Sequence, residues 1–236
     1  MAGNEAASPG PPPAQGIKSY VLRAGRMSNA QRRSYETLSP FFCLPFEDRP
    51  LNCEGVFGNG HPLVIEIGFG MGIATALVAE KNPGTNYLGL EVYRPGIGRL
   101  LWEIGQRDLK NIRIIEHDAV EVLGKMIPPG SVEGFHIFFP DPWPKKRHHK
   151  RRLVTRPFTD ALAERLRPGG YVYMVTDWEN YADWALAELS ATPGLSNPHS
   201  GFAPPRDWRP KTKFEEKGLA KDHRVRELWL VKTRGS

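Results

Sequence analysis

A short apolar run that leads through a glycine-rich turn into a helical segment constrains the fold of this chain more than any other feature. Residues 63–67, Leu-Val-Ile-Glu-Ile, predict a buried strand. The turn at 68–72, Gly-Phe-Gly-Met-Gly, leads into a predicted helix at 73–81 that Asn82-Pro83 terminates. A strand that passes directly into a helix is typical of parallel sheets with helical crossovers.

The same alternation continues along the rest of the chain. Further strands are predicted at 87–90, 112–115, 132–139 and 171–175, and helices near 98–107 and 157–166. A last run at 225–232 alternates less cleanly and predicts an antiparallel C-terminal edge strand. We therefore predict an α/β, Rossmann-like fold with a mostly parallel sheet and helices on both faces.

The chain is expected to have three parts. Residues 1–16 are rich in Pro, Ala and Gly and predict a disordered tail. Residues 17–60 predict a basic N-terminal arm and lead-in, in which several arginines lie among apolar residues. Residues 61–236 then form the α/β domain.

Charge and cysteine content narrow the range of partners. The 236 residues carry a formal net charge of +6, which favours a polyanionic partner because the basic residues are clustered. Cys43 and Cys53 are the only cysteines, and no Cys-x-x-Cys or His-x-x-x-His spacing occurs. We therefore expect neither a zinc ribbon nor a disulfide scaffold nor any metal site.

No apolar stretch is long enough to span a bilayer and no export signal is recognisable, which predicts a cytoplasmic protein.

Acidic residues follow the predicted strands with unusual regularity. Each of five strands has a carboxylate at or just beyond its end: Glu66, Glu91, Asp118, Asp141 and Asp177. In an open α/β sheet the carboxyl ends of the strands line the ligand crevice. Five acids along one edge therefore predict a ligand with cationic or hydroxyl groups.

The glycine-rich turn distinguishes between two classes of cofactor. Gly68, Gly70 and Gly72 follow a Gly-x-Gly-x-Gly pattern, whereas a dinucleotide fingerprint places its third glycine at position 73, here Ile. Glu66, just before the turn, would repel a pyrophosphate but attract the ammonium or sulfonium group of S-adenosylmethionine. Glu91 is spaced to accept hydrogen bonds from ribose hydroxyls, and Asp118 to accept one from an adenine amino group.

A second motif joins a constrained carboxylate to a basic run. In Phe-Pro-Asp-Pro-Trp-Pro at 139–144, two prolines restrict the backbone around Asp141. Six Lys or Arg residues lie among the next eight positions, 145–152. An acid beside an aromatic ring can bind and stack a nucleobase, and a basic run can hold phosphates. A solvated charge run after a strand is the alternative interpretation. Trp143 is interpreted equally as a base-stacking ring or as a packing wedge.

Three segments resemble the bacterial tRNA (guanine-N7)-methyltransferase family. They are Glu-Ile-Gly-Phe-Gly-Met-Gly at 66–72, Phe-Pro-Asp-Pro-Trp-Pro-Lys-Lys-Arg-His at 139–148 and Thr-Lys-Phe-Glu at 212–215. The match runs from about residue 34 to about residue 234, in the same order and spacing. Asp222 departs from the family pattern, in which glycine often precedes the residue equivalent to His223.

The resemblance implies a seven-stranded class I methyltransferase fold, S-adenosylmethionine as cofactor and methylation of a guanosine in the tRNA variable loop. It implies Asp141 as the catalytic residue. The cofactor-binding residues it implies are Glu66, Gly68, Gly70, Gly72, Glu91, Asp118 and Asp141. The substrate-binding residues it implies are Lys145, Asp177, Thr212, Lys213, Phe214 and Glu215. The RNA-binding residues it implies are Lys146, Arg147, His148, His149, Lys150, Arg151 and Arg152.

Three other functions remain open from the residues alone. The first is a methyltransferase that acts on another RNA or protein nucleophile, such as an exocyclic amine or a protein side chain. Amino methyltransferases often carry Asn/Asp-Pro-Pro-Tyr after the fourth strand, and this chain has Asp-Pro-Trp-Pro instead. A non-catalytic RNA-binding relative would have lost the glycine turn or the acids. An NAD-dependent oxidoreductase is disfavoured by Ile73 and Glu66. The oligomeric state, monomer or homodimer, is not determined by these patterns.

Overall fold

A computed structural model describes residues 18–21, 25–210, 215 and 224–234. The helices are α1 (Asn29–Phe42), α2 (Cys53–Phe57), α3 (Ile73–Lys81), α4 (Arg94–Arg107), α5 (Ala119–Lys125), α6 (Arg156–Arg165) and α7 (Glu179–Ser190). The strands are β1 (Cys43–Leu44), β2 (Leu63–Ile67), β3 (Asn86–Leu90), β4 (Ile112–Ile115), β5 (Val132–Phe138), β6 (Leu166–Thr176), β7 (Leu195–Ser196) and β8 (Arg226–Lys232). A 3₁₀ helix spans Lys146–Arg151.

Within these residues the strands form one sheet in the order β1-β4-β3-β2-β5-β6-β8-β7. The first six strands of that order pair in parallel, and β8 and β7 add antiparallel pairings. The α/β fold and the mostly parallel sheet predicted from the sequence are confirmed.

Two details of the predicted sheet are wrong. The C-terminal strand β8 lies between β6 and β7, so the two-residue strand β7 forms that edge. The sheet has eight strands among the described residues instead of seven, because β1 pairs with β4 at the opposite edge. Strands of two residues carry too little periodicity to be recognised in a sequence.

Helices cover both faces of the sheet. Helices α1, α3 and α4 pack together on one face, and α5, α6 and α7 pack together on the other. Strands β2 and β3 are buried along their whole length, because a parallel sheet covered on both sides exposes neither face. This burial explains why the central strands read as continuous apolar runs.

Part of the N-terminal region, expected to be an arm, belongs to the folded body. Helix α1 begins with a capping box between Ser28 and Gln31, and Gln31 also donates to the carbonyl of Pro95. Tyr35 donates to Glu116 at 2.5 Å. Helix α1 and strand β1 thus lie in the helical layer of α3 and α4 and at the sheet edge, and the division of the chain at residue 61 stays a prediction. The predicted tail at 1–16 lies outside the described residues.

No helix in the described part of the chain is long and apolar enough to cross a membrane. Among the same residues, no group of three or more His, Cys, Asp or Glu side chains could hold a metal ion.

Candidate functional site

The turn between β2 and α3 is built from backbone conformations that favour glycine. Gly68, Gly70 and Gly72 have φ values of 72°, 58° and 68°, in the left-handed region where a side chain is strained. A Cβ atom on Gly72 would lie 2.6 Å from Cβ of Leu100, whereas one on Gly68 or Gly70 would meet no heavy atom within 4 Å. The turn is therefore packed against α4 at one end and open at the other.

Glu91 holds this turn in place. Its Oε2 accepts from the amide of Gly70 at 2.8 Å. Its Oε1 accepts from the amides of Val92 at 2.7 Å and Tyr93 at 3.0 Å. A carboxylate that accepts three backbone hydrogen bonds is rigidly oriented. Burial raises the pKa of Glu91, whereas these three hydrogen bonds lower it, and the net shift is upward. Glu91 thus has a structural task that its spacing in the sequence did not reveal.

Glu66 lies at the end of β2 and is 4% exposed. Burial raises the pKa of its carboxyl to about 7, and the nearby charge of Glu91 acts in the same direction. A buried carboxylate without a cation is costly. A cationic ligand would lower this cost, so Glu66 fits the role predicted for it.

The five predicted acids converge on one edge of the sheet. Because β4, β3, β2, β5 and β6 are neighbours in that order, the residues at their carboxyl ends are neighbours too. Asp118 caps α5 and accepts from the amide of Val120 at 2.8 Å. Asp141 is close enough to Glu91 to raise the pKa of that carboxyl. Asp177 is half-buried beyond β6.

Exposed apolar side chains border the same edge. Six large hydrophobic side chains are exposed among the described residues, and four of them follow β2, β4 and β6: Met71, Ile73, Val120 and Trp178. Together with the acids and the open space above Gly68 and Gly70, they form a surface with apolar walls and carboxylate acceptors. This chemistry fits a ligand that has an apolar ring, hydroxyl groups and a positive charge.

The loop that carries Asp141 has an unusual backbone. Phe139 and Trp143 have φ values of 50° and 46°, and both are bulky residues for which this region is strained. The amide of Phe139 donates to the carbonyl of Val175 at 2.7 Å, which ties the loop to the end of β6. Asp141 lies between these two strained residues and is exposed.

Trp143 is engaged by the protein on three sides. Its Nε1 donates to the carbonyl of Ser19 at 2.9 Å. The guanidinium of Arg151 lies 4.7 Å from its ring centroid, and His148 makes an edge contact. These contacts favour the packing interpretation over base stacking.

Trp178, in contrast to Trp143, is exposed to solvent. With Tyr181 and Trp184, it has the spacing of one packed helix face. Tyr181 is fully buried, and Trp184 donates from Nε1 to the carbonyl of Val154 at 2.8 Å. Trp178, however, precedes α7 directly after Asp177 and is 38% exposed. It is therefore the exposed tryptophan at the edge that carries the acids.

Most of the basic run lies on the surface. Lys145 precedes the 3₁₀ helix, and Lys145, Lys146, Arg147 and Lys150 are exposed, while His148, His149 and Arg151 are half-buried. Such a cationic ridge beside the Asp141 loop can neutralise phosphates.

Arg152 differs from the exposed residues of the predicted RNA-binding set. It is 2% exposed, and its guanidinium donates to the carbonyl of Pro142 at 3.1 Å and to Asn180 Oδ1 at 2.6 Å. These two hydrogen bonds hold Nε and Nη2 inside the protein, and an RNA contact by Arg152 stays a prediction from the sequence. The sequence run gives no signal that distinguishes Arg152 from its neighbours.

Glu215, in the predicted substrate-binding set, is also buried. Its two carboxylate oxygens accept from Nη1 and Nη2 of Arg209 at 2.7 and 2.8 Å, and it is 4% exposed. Burial lowers the pKa of Arg209, but the carboxylates of Glu215 and Glu227 raise it overall. Arg209 also donates to Glu227 and Tyr173. Glu215 is therefore an internal anchor, and direct contact with a substrate would require breaking this ion pair.

Thr212, Lys213, Phe214, Asp222 and His223 lie outside the described residues. Sequence analysis did not identify Arg209 or Glu227, because neither lies in a recognisable motif.

Comparison with known proteins shows the family to which the chain belongs. Residues 60–228 match a family model described as "Putative methyltransferase". The tRNA (guanine-N(7)-)-methyltransferase of Nitrosospira multiformis is 49% identical over 95% of this chain and 98% of its own length. That of Burkholderia thailandensis is 52% identical over 92% of this chain and 82% of its own.

Solved structures share the fold at low identity. The 16S rRNA methyltransferase KamB superimposes with a TM-score of 0.55 at 14% identity, covering 89% of this chain and 96% of its own. The antibiotic-resistance methyltransferase Kmr superimposes with a TM-score of 0.53 at 18% identity, covering 77% of this chain and 92% of its own. Sequence identity near one half along almost the whole chain goes well beyond a shared fold. The chain belongs to the tRNA (guanine-N(7)-)-methyltransferase family.

Proposed function

We propose that this protein transfers a methyl group from S-adenosylmethionine to N7 of a guanosine in the variable loop of tRNA. The observation that carries the proposal is the position of Asp141, exposed on a tethered loop between a carboxylate-lined sheet edge and a basic 3₁₀ helix. The names of the relatives support the choice of tRNA and of guanine N7.

S-adenosylmethionine supplies an electrophilic methyl group on a sulfonium centre. Glu66 and Glu91 supply negative charge and hydrogen-bond acceptors for its cationic and ribose groups, and Asp118 supplies an acceptor near its adenine. The open backbone at Gly68 and Gly70 lets a ligand approach the turn closely. Met71 and Val120 provide apolar surface beside these acceptors.

Guanine N7 carries a lone pair in the ordinary nucleoside, so methyl transfer to it needs no general base. The protein therefore contributes mainly by aligning the two reactants at near-attack distance. Positive charge grows on the purine as N7 is alkylated, and a fixed carboxylate nearby stabilises that charge. We assign this role to Asp141, and with Asp177 it can also accept hydrogen bonds from the N1 and N2 edge of guanine. Trp178 offers a ring on which the base can stack.

The exposed residues of the basic helix are proposed to hold the RNA. Lys146, Arg147 and Lys150 present cations beside the Asp141 loop, and Lys145 lies nearest to that loop in sequence. Because tRNA is the proposed substrate, we also propose that the protein acts in the cytoplasm, as a monomer or a homodimer.

The test is to incubate the pure protein with methyl-labelled S-adenosylmethionine and unmodified tRNA, followed by borohydride and aniline treatment, which cleaves at N7-methylguanosine. Cleavage at one variable-loop guanosine, abolished when that base is changed to adenosine, is the expected result. Label in the tRNA without cleavage would move the target atom away from N7. No label, with cofactor binding intact, would reject tRNA as the substrate.

A further inference from the structure

We infer that Arg152 is a positioning residue that holds the Asp141 loop in its reactive geometry, although it lies within the basic run. The inference rests on the proposed role of Asp141 in methyl transfer. In this inference Arg152 supports the protein's own loop, and the exposed cations of the run bind RNA.

The contacts of Arg152 connect three separate parts of the chain. Its Nε donates to the carbonyl of Pro142, the residue after Asp141, and its Nη2 donates to Asn180 in the first turn of α7. Its guanidinium carbon lies 5.1 Å from the ring centroid of Tyr181 and 5.3 Å from that of Trp184. The planar guanidinium thus lies against aromatic rings of α7 while it donates to the loop.

The Asp141 loop needs external support. Phe139 and Trp143 both have positive φ values, a conformation that bulky residues adopt only when surrounding contacts enforce it. Three tethers apply such contacts: the Phe139 amide to Val175, the Trp143 indole to Ser19, and Arg152 to Pro142. Of these three, the contact from Arg152 acts on the residue next to Asp141 and comes from a buried charged group.

The same arginine links the two halves of the proposed guanine site. Asp141 follows β5, whereas Asp177 and Trp178 lie between β6 and the start of α7. By bonding to Pro142 and to Asn180 at once, Arg152 fixes the Asp141 loop relative to α7. Loss of this link should therefore impair alignment more than RNA binding.

The first experiment separates alignment from phosphate binding. For Arg152→Gln and Arg152→Lys, we expect the single-turnover methyl-transfer rate at saturating tRNA and cofactor to fall by about 10- to 100-fold, because misplacement by about 1 Å has that effect. The salt dependence of tRNA affinity should stay as in the wild type. Lys150→Gln, in the exposed part of the run, should give a lower salt slope, and Arg156→Gln is the control for an arginine that bonds to Asp160 and Ala191 instead of to the loop.

The second experiment does not depend on a large change in the core. Asn180 is exposed and uncharged, so Asn180→Ala removes the Nη2 acceptor and no cation. We expect it to lower the single-turnover rate in the same direction as Arg152→Gln, and the two changes to be non-additive when combined. A wild-type rate in Asn180→Ala together with a lower salt slope in Arg152→Gln, which removes the charge, would overturn the inference.

Hydrogen exchange tests the same link without any methyl transfer. The amides of Phe139, Asp141, Trp143 and Lys145 should exchange faster in Arg152→Gln than in the wild type, while those of β2 and β3 keep their protection. Unchanged exchange at 139–145 would overturn the inference. A wild-type protein that forms no N7-methylguanosine would instead reject the proposed function, and the exchange result would still decide the role of Arg152.

Discussion

Two neighbouring strands, β2 and β5, are each followed by a segment that reaches positive φ values, but the two segments do so by different means. The turn after β2 uses glycines, Gly68, Gly70 and Gly72, for which the conformation is free of steric cost. The loop after β5 uses Phe139 and Trp143, for which it costs about 1–2 kcal/mol each. The residue types of the first segment therefore allow its backbone conformation, whereas tertiary contacts impose the backbone conformation of the second.

The first turn is oriented by one carboxylate, whereas the second loop is held by three separate residues. Glu91 orients the first turn through an amide of the turn and two amides of its own loop. The second loop is held by residues far away in sequence, such as Ser19 and Val175, and by Arg152. A turn whose glycines adopt its conformation without steric cost tolerates change elsewhere, whereas a loop with strained bulky residues depends on its neighbours.

The largest expected effect tests whether the strained loop carries the chemistry. Asp141→Ala should lower the methyl-transfer rate by on the order of 10²-fold or more, because a fixed carboxylate near the developing charge is removed. Circular dichroism should match the wild type, and Asp183→Ala on the exposed side of α7 is the control. A wild-type rate with Asp141→Ala would remove this residue from the mechanism.

A matched pair of glycine substitutions tests local specification in the first turn. Gly68→Ala and Gly72→Ala impose nearly the same φ strain, about 1–2 kcal/mol, at φ values of 72° and 68°. Of the two new methyl groups, the one at Gly72 meets Leu100, at 2.6 Å, which should add about 1–3 kcal/mol of overpacking. Urea unfolding should therefore show a larger loss of stability for Gly72→Ala. Equal losses would mean that the contact with α4 relaxes freely.

The pH dependence of stability tests the buried carboxylate beside the first turn. The pKa of Glu66 is raised from 4.5 to about 7 in the folded protein, so between these values the folded state holds a proton that the unfolded state releases. Its free energy of unfolding should therefore decrease as pH rises through this window. Glu66→Gln should remove that decrease, and unfolding curves at pH 5 and pH 8 measure it.

Cofactor binding should show the opposite dependence on pH. Affinity for S-adenosylmethionine should rise from pH 6 to pH 8 as Glu66 ionises, and Glu66→Gln should bind weakly at both. The exposed Glu54→Gln is the matched control. An affinity for the cofactor that is independent of pH in the wild type would contradict a charged role for Glu66.

The smallest effect separates the two regions by their response to salt. The double variant Lys146→Gln, Lys150→Gln should lower the log–log salt slope of tRNA binding by roughly 0.7–0.9 for each phosphate that is no longer neutralised. Gly68→Ala, in the first turn, should leave that slope unchanged. Filter binding from low to moderate salt measures both, and an unaltered slope in the double variant would show that the basic helix does not contact RNA.

Much of the fold was predictable from the sequence because its signals are local. The strand β4 was predicted with its observed bounds, and β2 and α3 likewise, since apolar runs and the Asn82-Pro83 stop act over a few residues. Helix α4 begins four residues earlier than predicted, at Arg94, because Pro95 is tolerated in the first turn of a helix. The short edge strands β1 and β7 were missed. Each has two residues, which show no periodicity, and only the pairing with a neighbouring strand defines them as strands.

The sequence by itself determined the alternation of strands and helices, the glycine turn and the row of acids at the strand ends. These follow from backbone sterics and from hydrophobic periodicity, which act between near neighbours in the chain. Only the tertiary structure decided that Arg152 faces inward, that Glu215 pairs with Arg209 and that Trp178 is exposed while Trp143 is engaged. Each of these depends on burial against residues distant in sequence, and burial determines whether a charge or a ring serves the protein or its ligand.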